Sequence, residues 1–251
     1  AIKKEDFRDD AFLETHFVLM ATKRGLVKKS ALAAFKRPLV TGIIAIDIVD
    51  GDQLLEAKLT DGDTEVLLGS SGGRAIRFHE SDVRSMGRKS RGVRGMKLPD
   101  GEQVVGMIAV QRDGAQVLTI SENGYGKRTL FGPHAEGLSD DDPSSSARYR
   151  TQKRGGKGIR GIRTSERNGK VVAIVRVNDD DEIVMMSRLG QIQRIEAADI
   201  STIGRDTQGV RIMRLDDDDR LAAVVRVPTE QTNGNDGQDE NNDQEEQDTD
   251  Q

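Results

Sequence analysis

The stretch 150–164, RTQKRGGKGIRGIRT, sets a glycine pair between cations and follows it with an alternating apolar run. Side-chain cations beside glycine-exposed backbone N–H groups are the material of a phosphate site, the first supplying charge and the second oriented donors. The spacing does not suit a nucleotide. A P-loop needs Gly-Lys followed by Ser or Thr, and Lys157 is followed by Gly158. The run GYGKRT (124–129) lacks the third glycine of a dinucleotide fingerprint. His16, His79 and His134 stand singly without ligand spacing, there is no Cys, and no G-x-S-x-G elbow organises the serines. The residues therefore point to polyanion contact and not to catalysis.

Further cations recur at fixed places. Lys29, Arg77, Arg128 and Arg194 each stand four residues after a glycine (Gly25, Gly73, Gly124, Gly190), and Lys23, Lys28, Arg74 and Lys127 thicken the same region. The segments GRKSRGVR (87–94, with Arg88, Lys89 and Arg91), QKRGGKGIR (152–160, with Gln152, Lys153, Arg154, Gly155, Gly156, Lys157 and Gly158) and GRDTQGVR (204–211, with Arg205) add more. One Lys or Arg in a strand needs no function. Four at one topological position predict a charged rim, spaced unit by unit, suited to a curved polyanion.

The elements that position these cations form a repeat. Segments 16–29, 65–77, 116–128 and 182–194 share an apolar run, a polar turn ending in Gly and a second extended run, which is a β-hairpin signature. A second slot follows: GIIAIDI (42–48), GVRGMKL (92–98), GIRGIRT (158–164) and GVRIMRL (209–215), whose period-two alternation predicts half-buried strands. A third slot, LLEAKLT (54–60), VVGMIAV (104–110), VVAIVRV (171–177) and LAAVVRV (221–227), closes each unit after a turn that in the first three carries Asp-Gly or Asn-Gly. Four strands per unit predict an all-β, propeller-like fold of four-stranded blades. The blades are expected at 17–64, 65–115, 116–181 (with the insert 136–149) and 182–231. The opening AIKK resembles the end of a closing strand, so 1–16 reads as the remnant of a preceding blade and a connector.

Composition sets the bounds. Hydrophobic residues make up 35%, aromatics only 3%, and Trp is absent, so the core must rest on Val, Ile, Leu, Met and Ala. No apolar run approaches the roughly 20 residues of a membrane span, and no signal-peptide core opens the chain, which predicts a soluble, cytoplasmic protein with no membrane partner. The net charge of −5 hides an asymmetry: residues 232–251 carry eight acids and no base, leaving the body mildly basic. That tail has no large apolar group to offset chain entropy and is expected to be disordered. Its charge would let it compete with a polyanion for the rim or simply aid solubility.

With QKRGGKG in a four-strand repeat, together with NGYGKR and GRDTQGV, the body over 1–231 resembles the DNA gyrase A C-terminal domain family. That resemblance implies a β-pinwheel, a propeller relative of six blades that exchange a strand, with these four as the last. It implies sequence-independent binding of double-stranded DNA on the basic rim and chiral wrapping, in support of ATP-dependent negative supercoiling. It implies partners in the rest of gyrase A and in gyrase B, as an A2B2 complex. No cofactor is implied for this chain, since ATP and Mg2+ are used elsewhere in the holoenzyme. The family's signature box reads Gln-Arg-Arg-Gly-Gly-Lys-Gly and belongs to the first blade. Here Gln152, Arg154, Gly155, Gly156, Lys157 and Gly158 match it, Lys153 replaces an arginine, and the copy stands in the third repeat. The strand-cleaving tyrosine belongs to another domain, so Tyr125 and Tyr149 are no candidates for it. Two alternatives are a topoisomerase IV C-terminal domain, against which the well-formed box argues, and a propeller that binds protein partners.

Overall fold

The computed structural model describes residues 5–38, 40–110, 115–132 and 148–228. The opening residues 1–4, most of the insert and the acidic tail 232–251 lie outside the described residues. Among the described residues no helix is long and apolar enough to cross a membrane.

The four hairpins form where the alternation and glycines place them: β1 (Phe17–Thr22) with β2 (Leu26–Ala31), β4 (Glu65–Ser70) with β5 (Arg74–His79), β8 (Gln116–Ser121) with β9 (Tyr125–Leu130), and β12 (Glu182–Ser187) with β13 (Ile192–Glu196). The turn glycines all have positive φ, from 75° to 92°, which a residue with a Cβ adopts only under strain. The third slot gives β3 (Leu54–Thr60), β7 (Val104–Val110), β11 (Val171–Val177) and β15 (Leu221–Val227), each antiparallel to the first strand of its own hairpin. A short helix, α1 (Asp10–Thr15), capped by the Asp9 carboxylate, precedes β1.

The second slot departs from expectation. Its strands are only two residues long, β6 (Val93–Arg94), β10 (Ile159–Arg160) and β14 (Val210–Arg211), and each pairs with the hairpin of the preceding repeat. Sheet orders are therefore β3-β1-β2-β6, β10-β5-β4-β7, β11-β8-β9-β14 and β13-β12-β15. Each of the first three sheets borrows its outermost strand, so the contiguous boundaries read from the sequence delimit repeats and not sheets. Residues 42–48 form no strand, because the rule that pairs this slot with the hairpin before it leaves them no hairpin among the described residues. By the same rule β13 has no fourth strand beside it among the described residues.

Glycines on both sides make the borrowed pairing close. A Cβ on Gly73 would meet the Ile162 carbonyl oxygen at 2.5 Å, and one on Gly158 would meet that of Ala75 at 2.5 Å. At Gly42 and Gly190, which have no such partner, a Cβ would meet nothing within 4 Å.

Three apolar clusters fill the spaces between consecutive sheets. One joins Leu19, Val27, Leu68, Phe78 and Met107; the next Leu67, Val117, Phe131, Tyr149 and Ile174; the last Leu118, Ile183, Met185, Ile200 and Met213. The third-slot strands flank one another on the inner side. The borrowed strands and the loops before them form the outer edge, which is the surface the sequence marks with charge.

Candidate nucleic-acid interface

Five of the hairpin cations are buried and not on that surface. Lys29, Arg77 and Arg128 are 7%, 4% and 6% exposed, and Lys28 and Lys127 are fully buried, which corrects the expectation of a rim built from them. Lys29 Nζ donates to the Glu80 carbonyl at 3.0 Å and lies 3.6 Å from its carboxylate, 4.8 Å over the Phe17 ring. Arg77 pairs with Glu65 at 3.0 Å, donates to the Tyr149 carbonyl at 2.9 Å and sits over Phe131. Arg128 pairs with Asp179 and donates to the carbonyls of Ile200 and Ala198. The carbonyls of Glu80, Tyr149 and Ile200 all belong to the following repeat. These cations are staples between repeats, buried because burial is tolerated only where carbonyls and carboxylates satisfy the charge. Arg194, in the last hairpin, has no following repeat in the described residues. It stays exposed and pairs with Glu182.

The box-like loop is also partly structural. The Gly155 N–H donates to the Gly95 carbonyl at 2.7 Å, and the Gly156 carbonyl accepts from Lys97 N–H at 2.9 Å. Arg154 donates to the carbonyls of Asp82 and Arg94, while the Gln152 N–H donates to the Arg77 carbonyl at 2.7 Å. Arg74, half-buried, donates to the Gly158 carbonyl at 3.0 Å. The loop thus zips the second-slot segments of consecutive repeats together. Only Lys153 and Lys157 of its cations face solvent.

Of the other candidates, Lys89 is exposed, Arg91 is exposed and pairs with Asp47 at 2.8 Å, and Arg88 is half-buried. Arg205 is half-buried and donates to the Arg160 carbonyl at 3.3 Å, and burial holds its guanidinium below its usual range.

The segments 87–94, 152–160 and 204–211 end on one half of a more regular set, whose other half lies beyond them. In the borrowed segments a cation stands two residues after the glycine (Arg94, Arg160, Arg211) and another five residues after it (Lys97, Arg163, Arg214), and all six are exposed. Both offsets stand in GVRGMKL, GIRGIRT and GVRIMRL, where the apolar alternation masks the second. In the first repeat the same positions are Ile44 and Asp47. Asp206 bridges Arg160 at 3.1 Å and Arg163 at 3.4 Å, and these arginines hold its carboxyl below the usual range. Arg211 donates to the Tyr125 hydroxyl at 2.8 Å, and bonds from Arg167 and Arg211 lower that phenol. Tyr149 is buried, and burial pushes it up to about 12, so it has no reach to any external group.

The outer edge therefore presents pairs of cations at one repeat's interval, with Lys89, Lys153 and Lys157 between them. Charges so placed raise a positive potential along the edge. An all-β repeat of propeller type with a cationic outer edge is the class of module that these observations define. The family model described as "DNA gyrase C-terminal domain, beta-propeller" matches residues 16–61, 64–111, 115–131, 145–178 and 181–228, and the chain belongs to that family. The DNA gyrase A protein of Haloquadratum walsbyi is 44% identical over 89% of this chain and 24% of its own length. That of Escherichia coli is 42% identical over 84% of this chain and 22% of its own. The chain thus spans about a quarter of the length of the curated relatives it matches. Among solved structures, a DNA gyrase A C-terminal domain superposes with a TM-score of 0.69 at 30% identity, over 85% of this chain and 66% of that one. A topoisomerase IV C-terminal domain superposes at 0.74, over 85% of this chain and 62% of that one, with 23% identity, a likeness of fold alone.

Proposed function

We propose that this chain binds double-stranded DNA through its outer edge without sequence preference and bends the duplex along that edge, as the strand-exchanging pinwheel of a gyrase A protein. In that setting it would act with the rest of gyrase A and with gyrase B in an A2B2 complex in the cytoplasm, where ATP and Mg2+ serve other domains and wrapping supports negative supercoiling. The observation that carries the reading is the exposed cation pair repeated on three borrowed segments (Arg94 and Lys97, Arg160 and Arg163, Arg211 and Arg214). Bending a short site costs on the order of 1–6 kcal/mol, which several phosphate contacts along the edge offset.

The test is duplex binding over a salt series. Affinity should fall steeply with salt and vary little between sequences, and Arg94→Ala with Lys97→Ala should shallow the slope by about two phosphate contacts. A salt slope left unchanged by that double substitution would sink the assignment of this edge. Wrapping is read separately by incubating the chain with relaxed circular DNA and topoisomerase I, where a shift in linking number is expected.

A further inference from the structure

Two hairpin lysines point inward, into the loops that precede the borrowed strands. Lys28 is fully buried, and its Nζ donates to the carbonyls of Ala45 and Arg88. Lys127, at the equivalent place in the third repeat, is also fully buried, and its Nζ donates to the carbonyls of Gly204 and Arg205 and, at 3.1 Å, to Thr207 Oγ1. In the second repeat that place is held by Ile76, buried beneath the box-like loop, where a Cβ on Gly156 would meet its Cδ1 at 3.7 Å. An ammonium has three N–H donors, and Lys127 finds three acceptors. Across a trans peptide the carbonyl and the next N–H point in opposite directions. Carbonyls of Arg88, Gly204 and Arg205 turned inward therefore direct the N–H groups of Lys89, Arg205 and Asp206 outward, toward the edge.

We propose that Lys28 and Lys127 are positioning residues for the DNA-binding edge, each ammonium holding the carbonyls of loop 87–92 or 204–209 inward so that the loop offers its N–H groups and cations to a phosphate backbone; this rests on the DNA-binding reading above. The charges around Lys127 are those of Arg205 and Asp206, with Arg160 and Arg163 bonded to Asp206 and Arg150 beside Arg205. Burial, reinforced by Arg205 and opposed by Asp206, lowers the Lys127 ammonium to about 7. Burial and Arg88 lower Lys28 as well. Above neutrality Lys127 loses a charge beneath the edge, and a neutral amine has one donor fewer for three acceptors.

The experiment follows the affinity of the full chain for a mixed-sequence duplex at low salt between about pH 6 and about pH 8. The unsubstituted chain should lose about fivefold in affinity across that interval, the equivalent of about one charge-assisted contact. Lys127→Met, and Lys127→Ile with the residue the second repeat uses, should show no such step, whereas Lys28→Met should keep the step and bind more weakly throughout. The histidines are common to all variants, so the difference isolates Lys127. Hydrogen exchange without DNA should quicken at 204–209 in the Lys127 variants and at 87–92 in Lys28→Met. A pH step that survives in both Lys127 variants, or loop exchange unchanged in folded variants, overturns the proposal. Failure of the unsubstituted chain to bind duplex at any salt concentration would overturn the DNA reading instead, and loop exchange would then decide whether the lysines clamp the loops.

Discussion

Arg77 and Arg94 carry the same guanidinium into opposite surroundings. Arg77 is buried against Glu65 and the Tyr149 carbonyl, whereas Arg94 stands exposed on the outer edge. Nothing in residue type separates a buried staple from an exposed edge cation; the depth of the strand in the sheet does. The Lys29–Glu80 pair shows what the staples require. Glu80 is fully buried, and its carboxylate accepts from Thr60 Oγ1 at 2.8 Å, Gly62 N–H at 2.9 Å and Thr64 N–H at 3.0 Å. Glu80→Ala would strand the Lys29 ammonium and two backbone donors, so a loss of about 3–5 kcal/mol is expected in urea unfolding. Lys127 makes a second prediction at this scale. Its folded value of about 7 lies below the ordinary lysine value of 10.5, so between those values the unfolded chain binds more protons. By linkage, the stability this group contributes rises as pH climbs from about 7 and levels off near the unfolded value. The urea midpoint should therefore rise less between about pH 6 and about pH 9 in Lys127→Met than in the unsubstituted chain.

Hairpins and third-slot strands were legible in the sequence because their determinants are local: a glycine that must adopt positive φ, alternation on either side, and Asp-Gly or Asn-Gly turns. The second-slot strand was legible from its alternation, but its pairing with the preceding repeat was not, and only the family resemblance implied that exchange. Its two-residue pairing depends on a hairpin from another repeat, and non-local pairing leaves no periodic trace. The same distance hid the burial of Lys29, Arg77 and Arg128, whose carbonyl partners come from the next repeat. The exposed pairs such as Arg160 and Arg163 were legible in principle, since their offset from the slot glycine is fixed. The two kinds of turn glycine give an element-scale test. Gly73→Ala adds both a positive-φ penalty, at φ 84°, and a clash with the Ile162 carbonyl oxygen. Gly190→Ala has φ 92° and open space, leaving backbone strain of about 1–2 kcal/mol alone. Gly73→Ala should therefore destabilise more and expose 159–164 to faster amide exchange; equal losses in the two variants would show that the close approach is relieved at little cost.

At the scale of the whole molecule, stability should follow neighbour contacts, as in repeat arrays where each unit is supported by the next. The second and third sheets each share an apolar cluster with a sheet on either side. The fourth packs against one neighbour and has no borrowed strand among the described residues. Its outer strand β13 alternates exposed and half-buried, with Ile192 at 62% and nearby Leu189 at 68% exposure, whereas β5 is buried at Ala75, Ile76, Arg77 and Phe78. The first sheet also has one neighbour among the described residues, yet β6 covers its hairpin and the Lys29–Glu80 staple ties it inward. Local opening should therefore begin at β12 and β13. Hydrogen exchange of the intact chain should show their amides exchanging at least about tenfold faster than those of β4 and β5, a difference of about 1.4 kcal/mol in opening free energy. Because Arg194, at the staple position of the fourth hairpin, pairs among the described residues with Glu182 inside its own hairpin, Arg194→Ala should leave that exchange nearly unchanged, whereas Arg128→Ala should quicken exchange across the boundary between the third and fourth sheets. Uniform exchange over all four hairpins would mean that the sheets unfold together and that the inter-repeat staples do not set the order of opening.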